Sequence, residues 1–145
     1  MKIEIRTQAF DPWTEVARHQ ASMAAQHGRF GATAVFVGTM REFNEGDPVR
    51  AMTLEHYPGM TERHLESIVH MAFERWDLQD ALLLHRVGDL HPGDPIVLVA
   101  VWSAHRRDAY EANRWIMEDL KSRAPFWKRE ELEQGHRWVA SNTPG

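Results

Sequence analysis

Two lysines, Lys121 and Lys128, flank a rigid Pro125-Phe126-Trp127 turn in the stretch running from Asp119 to Glu130. Proline at 125 cannot continue a helix and drives Ala124 toward extended geometry, so Lys121 should close a helix and Lys128 begin the next, extended segment. Two ammonium groups are thereby brought near one bend. Further cations stand upstream: His105 and Arg106 follow Ser103-Ala104, and Arg41 lies just past an apolar run. A buried lysine amine serves as nucleophile or proton-transfer group, while guanidinium, imidazole and free helix N–H groups hold phosphate or carboxylate. These residue types point to a pocket for an anion.

Each residue also has a plainer reading. Lys121 extends an alternating charge stripe through Arg107, Glu111, Arg114 and Glu118, and a lysine in a last helical turn complements the macrodipole. Lys128 lies among Arg129, Glu130 and Glu131, where a rim salt bridge is the default. Spacing alone leaves both readings open. His105 and Arg106 are harder to explain structurally, because cations at a helix N-terminus oppose its dipole by roughly 0.3–1 kcal/mol each unless an anion is bound.

The elements that must position these groups follow from pattern. Lys2–Gln8 alternates as a short strand, and Asp11-Pro12 offers a cap and a first-turn proline for a helix from 12 to 26 that stops near Gly28. Residues 31–39 read as a buried strand, 42–48 as a turn-rich, mobile loop and 49–57 as a second strand of an antiparallel pair. Pro58-Gly59 opens a helix with Met60, Leu65, Ile68, Val69, Ala72 and Trp76 on its core stripe. Two more apolar strands, 81–87 and 96–104, are joined by a hairpin-like connection rich in glycine and proline. The next helix, 106–122, buries Ala109, Ala112, Ile116 and Leu120. Trp127 and Trp138 fall in short extended pieces around Gln134-Gly135. The order predicts an α+β fold, a mainly antiparallel sheet covered by helices, in one domain spanning 1–145.

Composition narrows the function. With 145 residues and no cysteine, the chain has no disulfide scaffold, thiolate metal site or thiol nucleophile, so any sulfur chemistry needs imported sulfur. A net charge of -4 disfavours a nucleic-acid footprint, although a single-strand binder using Trp and Arg is a weaker third reading. No segment reads as a signal peptide or membrane span, and the expectation is a cytosolic, cytoplasmic protein. The nine histidines form no H-E-x-x-H or H-x-H pattern, so no metal site is expected. P-loop, G-x-S-x-G and G-x-G-x-x-G motifs are likewise missing.

Five pieces in register resemble the large, catalytic subunit family of molybdopterin synthase: Phe36-Val-Gly-Thr-Met-Arg41, Leu54-Glu-His-Tyr-Pro-Gly-Met60, His85-Arg-Val-Gly-Asp-Leu90, Ser103-Ala-His-Arg-Arg-Asp-Ala-Tyr110, and Asp119-Leu-Lys121 through Phe126-Trp-Lys-Arg-Glu130. The resemblance covers residues 30 to 140. It implies an α/β-hammerhead fold and a homodimer carrying one small ubiquitin-like carrier at each outer end. The carrier, which ends in Gly-Gly, brings sulfur as a C-terminal thiocarboxylate. Its sulfur builds the dithiolene of molybdopterin from cyclic pyranopterin monophosphate, with no cofactor bound by the protein, no nucleic acid and no membrane. By position, Lys121 resembles the essential lysine and Lys128 the second one. Arg41, His105 and Arg106 resemble the residues that hold the substrate's phosphate and pterin, and Thr39, Met40, Arg129 and Glu130 line the same pocket. The chain ends Thr143-Pro144-Gly145, unlike the carrier. Tyr110 replaces a common Phe, and the tail beyond Val139 lacks a basic residue that some relatives have. A runner-up from another class is a non-catalytic module that binds an acidic tail or small anion.

Overall fold

Residues 81–84 and 96–102 are unbroken apolar runs because the sheet they form is covered on both faces. In the computed structural model, which describes residues 1–44, 46–132 and 135–139, the elements in chain order are β1 (Lys2–Arg6), α1 (Pro12–Ala21), a 3₁₀ turn (Ala24–Gln26), β2 (Ala32–Thr39), β3 (Phe43–Asn44), β4 (Asp47–His56), α2 (Met60–Arg75), β5 (Leu78–Arg86), β6 (Gly88–Leu90), β7 (Pro95–Ser103), α3 (Arg106–Arg123), β8 (Phe126–Leu132) and β9 (Gly135–Trp138). The expected α+β class holds, but the strands divide between two sheets. One has the order β1-β5-β7-β2; the other runs β3-β4-β8-β9, with β6 also paired to β4. All pairings are antiparallel except β1 with β5.

Alternation sorts the first sheet's side chains. Leu83, Val97, Val99 and Val101 pack with Leu65, Ile68, Val69, Ala112, Ile116 and Leu120 beneath α2 and α3, whereas Leu82, Leu84, Leu98, Ala100 and Trp102 pack with Phe10 and Met23 on the α1 side. A third cluster, Met40, Val49, Met52, Leu54 and Leu90, closes the second sheet. Val99 and Val101 each lie within 1 % of full burial, so this double-faced sheet is a stiff platform.

The caps follow the sequence closely. Asp11 accepts from the amides of Trp13 and Thr14 at 3.0 and 3.4 Å, with Pro12 in the first turn of α1. That helix ends at Ala21, short of the expected 26. There the Ser22 hydroxyl donates to the His19 carbonyl, and only a 3₁₀ turn follows. Gly59, at φ 85°, admits the left-handed backbone before α2, and its amide donates to the Glu62 carboxylate at 3.2 Å. Met60 departs from its assigned core position and is 53 % exposed, because it sits in the first turn ahead of the packed stripe.

The connection 88–95 is more than a hairpin loop. Gly88–Leu90 pairs with Met52–Leu54 of β4 and so ties the second sheet to the end of β5. Residues 43–44 and 47–48 form a short pairing where a mobile loop was expected; residue 45 lies outside the described residues, as do Gln134 and the tail beyond 139. A buried asparagine docks α3 on the platform: the Asn113 amide donates to the carbonyls of Ala34 and Val99 at 3.0 and 2.9 Å.

Candidate functional site

The Pro125 bend has the geometry its sequence dictates. Ala124, held by the following proline, ends α3 in extended conformation (φ -68°, ψ 135°). Behind it the Thr61 hydroxyl, fully buried, donates to the Pro125 carbonyl at 3.1 Å. The chain then enters β8, which pairs with β4 so that Lys128 lies opposite Leu54 and Glu130 opposite Met52. Strand alternation places Lys128 and Glu130 on one side of β8 and Trp127 and Arg129 on the other.

Lys121 and Lys128 share the walls of two adjoining cavities. The first, about 320 Å³, is lined by the end of β2, Met40, Arg41, Lys121, Lys128 and Glu130. The second, about 290 Å³, runs under the bend between His85, Leu120, Phe126 and the same two lysines. A third, about 610 Å³, opens between β2 and α3 and again meets Lys121. Lys121 is therefore not a member of the solvated stripe that precedes it: Arg107, Glu111, Arg114 and Glu118 pair with one another in solvent, and Lys121 turns into the cavities.

Burial controls the chemistry of the pair. Loss of solvent, reinforced by the neighbouring Lys128 charge, pushes the Lys121 ammonium down to about 8. Burial also lowers Lys128, but the bond from Lys121 and the Glu130 carboxylate act in the opposite direction. Glu130 is itself buried and accepts from Arg137 Nε at 2.9 Å, which fixes it in the wall.

The remaining candidates divide. Thr39, Met40 and Arg41 join the cavity through the end of β2, where Met40 is pinned by the exchange of backbone hydrogen bonds with Asp94 and Gly93. Arg129 is not in it: it lies over Trp138, 6.0 Å from the ring centroid, and pairs with Glu131 at 3.7 Å on the opposite side of β8. His105 and Arg106 stand exposed at the N-terminus of α3. At 1.5 Å per residue they are about 24 Å along the helix from Lys121, so one protomer does not bring them to the lysines. The sequence reading did not single out His85, whose ring is buried in the second cavity wall. The signal was present: a titratable residue interrupts the run Ala-Leu-Leu-Leu in a strand covered on both faces.

Among the described residues no cluster of three or more metal-ligating side chains occurs, and no helix is long and apolar enough to cross a membrane. Fold and site define an α+β protein with two partly buried lysines on the walls of shared cavities. The family model described as "MoaE protein" matches residues 7–123. The chain is 52 % identical over 137 residues to the molybdopterin synthase catalytic subunit of Ralstonia nicotianae, covering 94 % of this chain and 76 % of that protein. Among solved structures it is similar to the molybdopterin biosynthesis MoaE protein from Burkholderia ambifaria (43 % identity, TM-score 0.79, 99 % and 92 % of the two chains). It shares its fold with a chain of the complex of subunits 1 and 2 of molybdopterin-converting factor from Helicobacter pylori (23 % identity, TM-score 0.79, 97 % and 92 % coverage). The chain belongs to the MoaE family, and with it to the sulfur-transferring enzymes of molybdenum cofactor biosynthesis.

Proposed function

We propose that the cavities at the Pro125 bend are where sulfur passes from the thiocarboxylate tail of a small ubiquitin-like carrier, ending in Gly-Gly, to cyclic pyranopterin monophosphate. The observation that carries this reading is the pair of half-buried lysines on shared cavity walls, both with proton affinity lowered by burial. Lys128, kept cationic by Glu130, and Arg41 hold the substrate's phosphate and the charge that develops as the cyclic ester opens. Lys121, neutral for part of the time near pH 8, takes up or hands on the proton that sulfur transfer displaces, or acts as the nucleophile.

The partner is proposed from the word "subunit" in the relatives' names and from the complex of two subunits solved for the Helicobacter pylori protein. With no cysteine in the chain, the transferred sulfur is supplied from outside it, as such a partner would do, and no protein-bound cofactor is invoked. His105 and Arg106 would join a substrate site across a contact with a second copy, in the homodimer the resemblance implies. The deciding experiment supplies thiocarboxylated carrier and cyclic pyranopterin monophosphate to Lys121→Ala protein shown to be folded. Dithiolene formation should be lost while carrier binding persists. Wild-type rates would remove Lys121 from the reaction.

A further inference from the structure

The last strand, β9, lies at the edge of the second sheet and pairs with β8. Its register sets Arg137 opposite Glu130 and Trp138 opposite Arg129, so strand alternation gives it two distinct faces. On one face Trp138 lies under the Arg129 guanidinium. On the other, Arg137 meets the side of β8 that carries Glu130 and Lys128. The same strand reaches Lys128 a second time through its backbone: the Val139 amide donates to the Lys128 carbonyl at 3.0 Å, and Val139 lines both lysine cavities.

Glu130 is a carboxylate buried in the wall of the first cavity, a position that is costly for an anion unless cations and donors hold it. Arg137 Nε donates to its Oε1 at 2.9 Å. A guanidinium keeps its charge and its fixed fork of donors across the whole working pH range. Two residues before Glu130, Lys128 lines the same cavity. The charged and titratable groups around the Lys128 ammonium are Glu130 from β8 itself, Lys121 from α3, His85 from β5 and Arg41 at the end of β2. Three of these are basic and Glu130 is the one anion. Where its carboxylate stands therefore governs how well the pocket tolerates a positive charge on Lys128, which burial opposes.

We propose that Arg137 is a positioning residue of the sulfur-transfer site: from the edge strand it holds the Glu130 carboxylate in the cavity wall beside Lys128, and so keeps the Lys128 ammonium in place for an anionic substrate. The inference rests on the reading of Lys128 as a cation that holds the substrate's phosphate. It deepens that reading by extending the site into β9, whose backbone bond and whose one inward guanidinium both bear on Lys128.

The test compares Arg137→Met, which keeps an unbranched side chain but no donor, with Arg137→Lys, which keeps a charge. Sulfur transfer is assayed with thiocarboxylated carrier, and Lys128 is titrated by NMR of ε-labelled lysine, the only other lysines in the chain being Lys2 and Lys121. The expected result in Arg137→Met is a fall in kcat of about tenfold with KM for the carrier little changed, a lower Lys128 pKa, and recovery of both in Arg137→Lys. Removing a bystander charge would by itself raise Lys128, so a raised or unmoved Lys128 overturns the proposal. A double-mutant cycle checks the route: in a Glu130→Gln background Arg137→Met should cost nothing further, and a loss that multiplies overturns action through Glu130. Should Arg137→Met not fold, Arg137→Lys carries the same cycle, its effect on kcat vanishing in Glu130→Gln if the proposal holds and persisting there if it does not. Lys128→Ala separates the two layers. If that variant keeps wild-type rates, the lysine reading fails and takes this one with it; if it is inactive while Arg137→Met is fully active, only the Arg137 role is lost.

Discussion

The hydroxyl of Thr61 donates to the Pro125 carbonyl at 3.1 Å and accepts from the Tyr57 amide at 3.0 Å. One buried side chain at the start of α2 therefore holds the turn that separates the two lysines, 64 residues away in sequence. Replacement by valine, similar in shape, leaves a buried amide and carbonyl without that partner. Thr61→Val should lower unfolding free energy by about 1–3 kcal/mol in chemical denaturation and slow sulfur transfer beyond what the stability loss explains. An unchanged turnover in the folded variant would mean that the bend keeps its place without Thr61.

Lys121 predicts a pH profile. Its ammonium is pushed down to about 8, first by burial and then by the Lys128 charge, so a reaction needing the free amine should accelerate as pH rises through about 8. The sign for stability is the same. An unfolded chain holds this proton up to the ordinary lysine value of 10.5, so Lys121 destabilises the fold below its folded pKa and the penalty fades as pH rises toward the unfolded one. Lys121→Met should therefore melt at a higher temperature than wild type at pH 7, with the gain disappearing in strongly alkaline buffer, while activity is lost.

His85 predicts acid lability. Its folded pKa is held at about 3, against 6.5 when exposed, so as pH falls between these values the unfolded chain takes up a proton that the folded one refuses. Stability should be lost across that window, with a slope of up to about 1.4 kcal/mol per pH unit from this group. His85→Phe removes the titration, and its unfolding free energy should be less steep in pH between the same limits. Parallel profiles for the two proteins would assign the acid response elsewhere.

Asn113 predicts a local lesion with a distant effect. Its amide bridges the carbonyls of Ala34 and Val99 from within α3, and Asn113→Ala leaves both without it. A loss of about 1–3 kcal/mol is expected. Because the same helix carries Lys121 in its last turn, faster amide exchange in α3 should accompany a lower kcat, and exchange confined to other elements would count against the docking role.

Much of this protein was legible as local physics. Continuous apolar runs gave β5 and β7, Asp11-Pro12 gave the start of α1, and Pro125 gave both the end of α3 and the extended Ala124, because each depends on neighbours within a few residues. The resemblance carried by five short motifs marked Lys121, Lys128 and Arg41, which do meet in one cavity wall. Other relationships are non-local. The division into two sheets, the pairing of Gly88–Leu90 with β4, and the placement of Arg129 away from Lys128 are set by register and by which strand lies beside which.

Residue type and spacing by themselves determined an α+β chain with two lysines on either side of a rigid bend and no cysteine thiol of its own. They left Lys121 equally at home in a surface charge stripe. Tertiary structure decided that question, because only packing removes water from an amine. The end of α3, β8 and the His85–Phe126 stack close over Lys121, and that desolvation separates its proton affinity from that of a solvated lysine. The distance of His105 and Arg106 from Lys121, by contrast, is local helix geometry already contained in the expected helix 106–122, because rise per residue needs no tertiary contact.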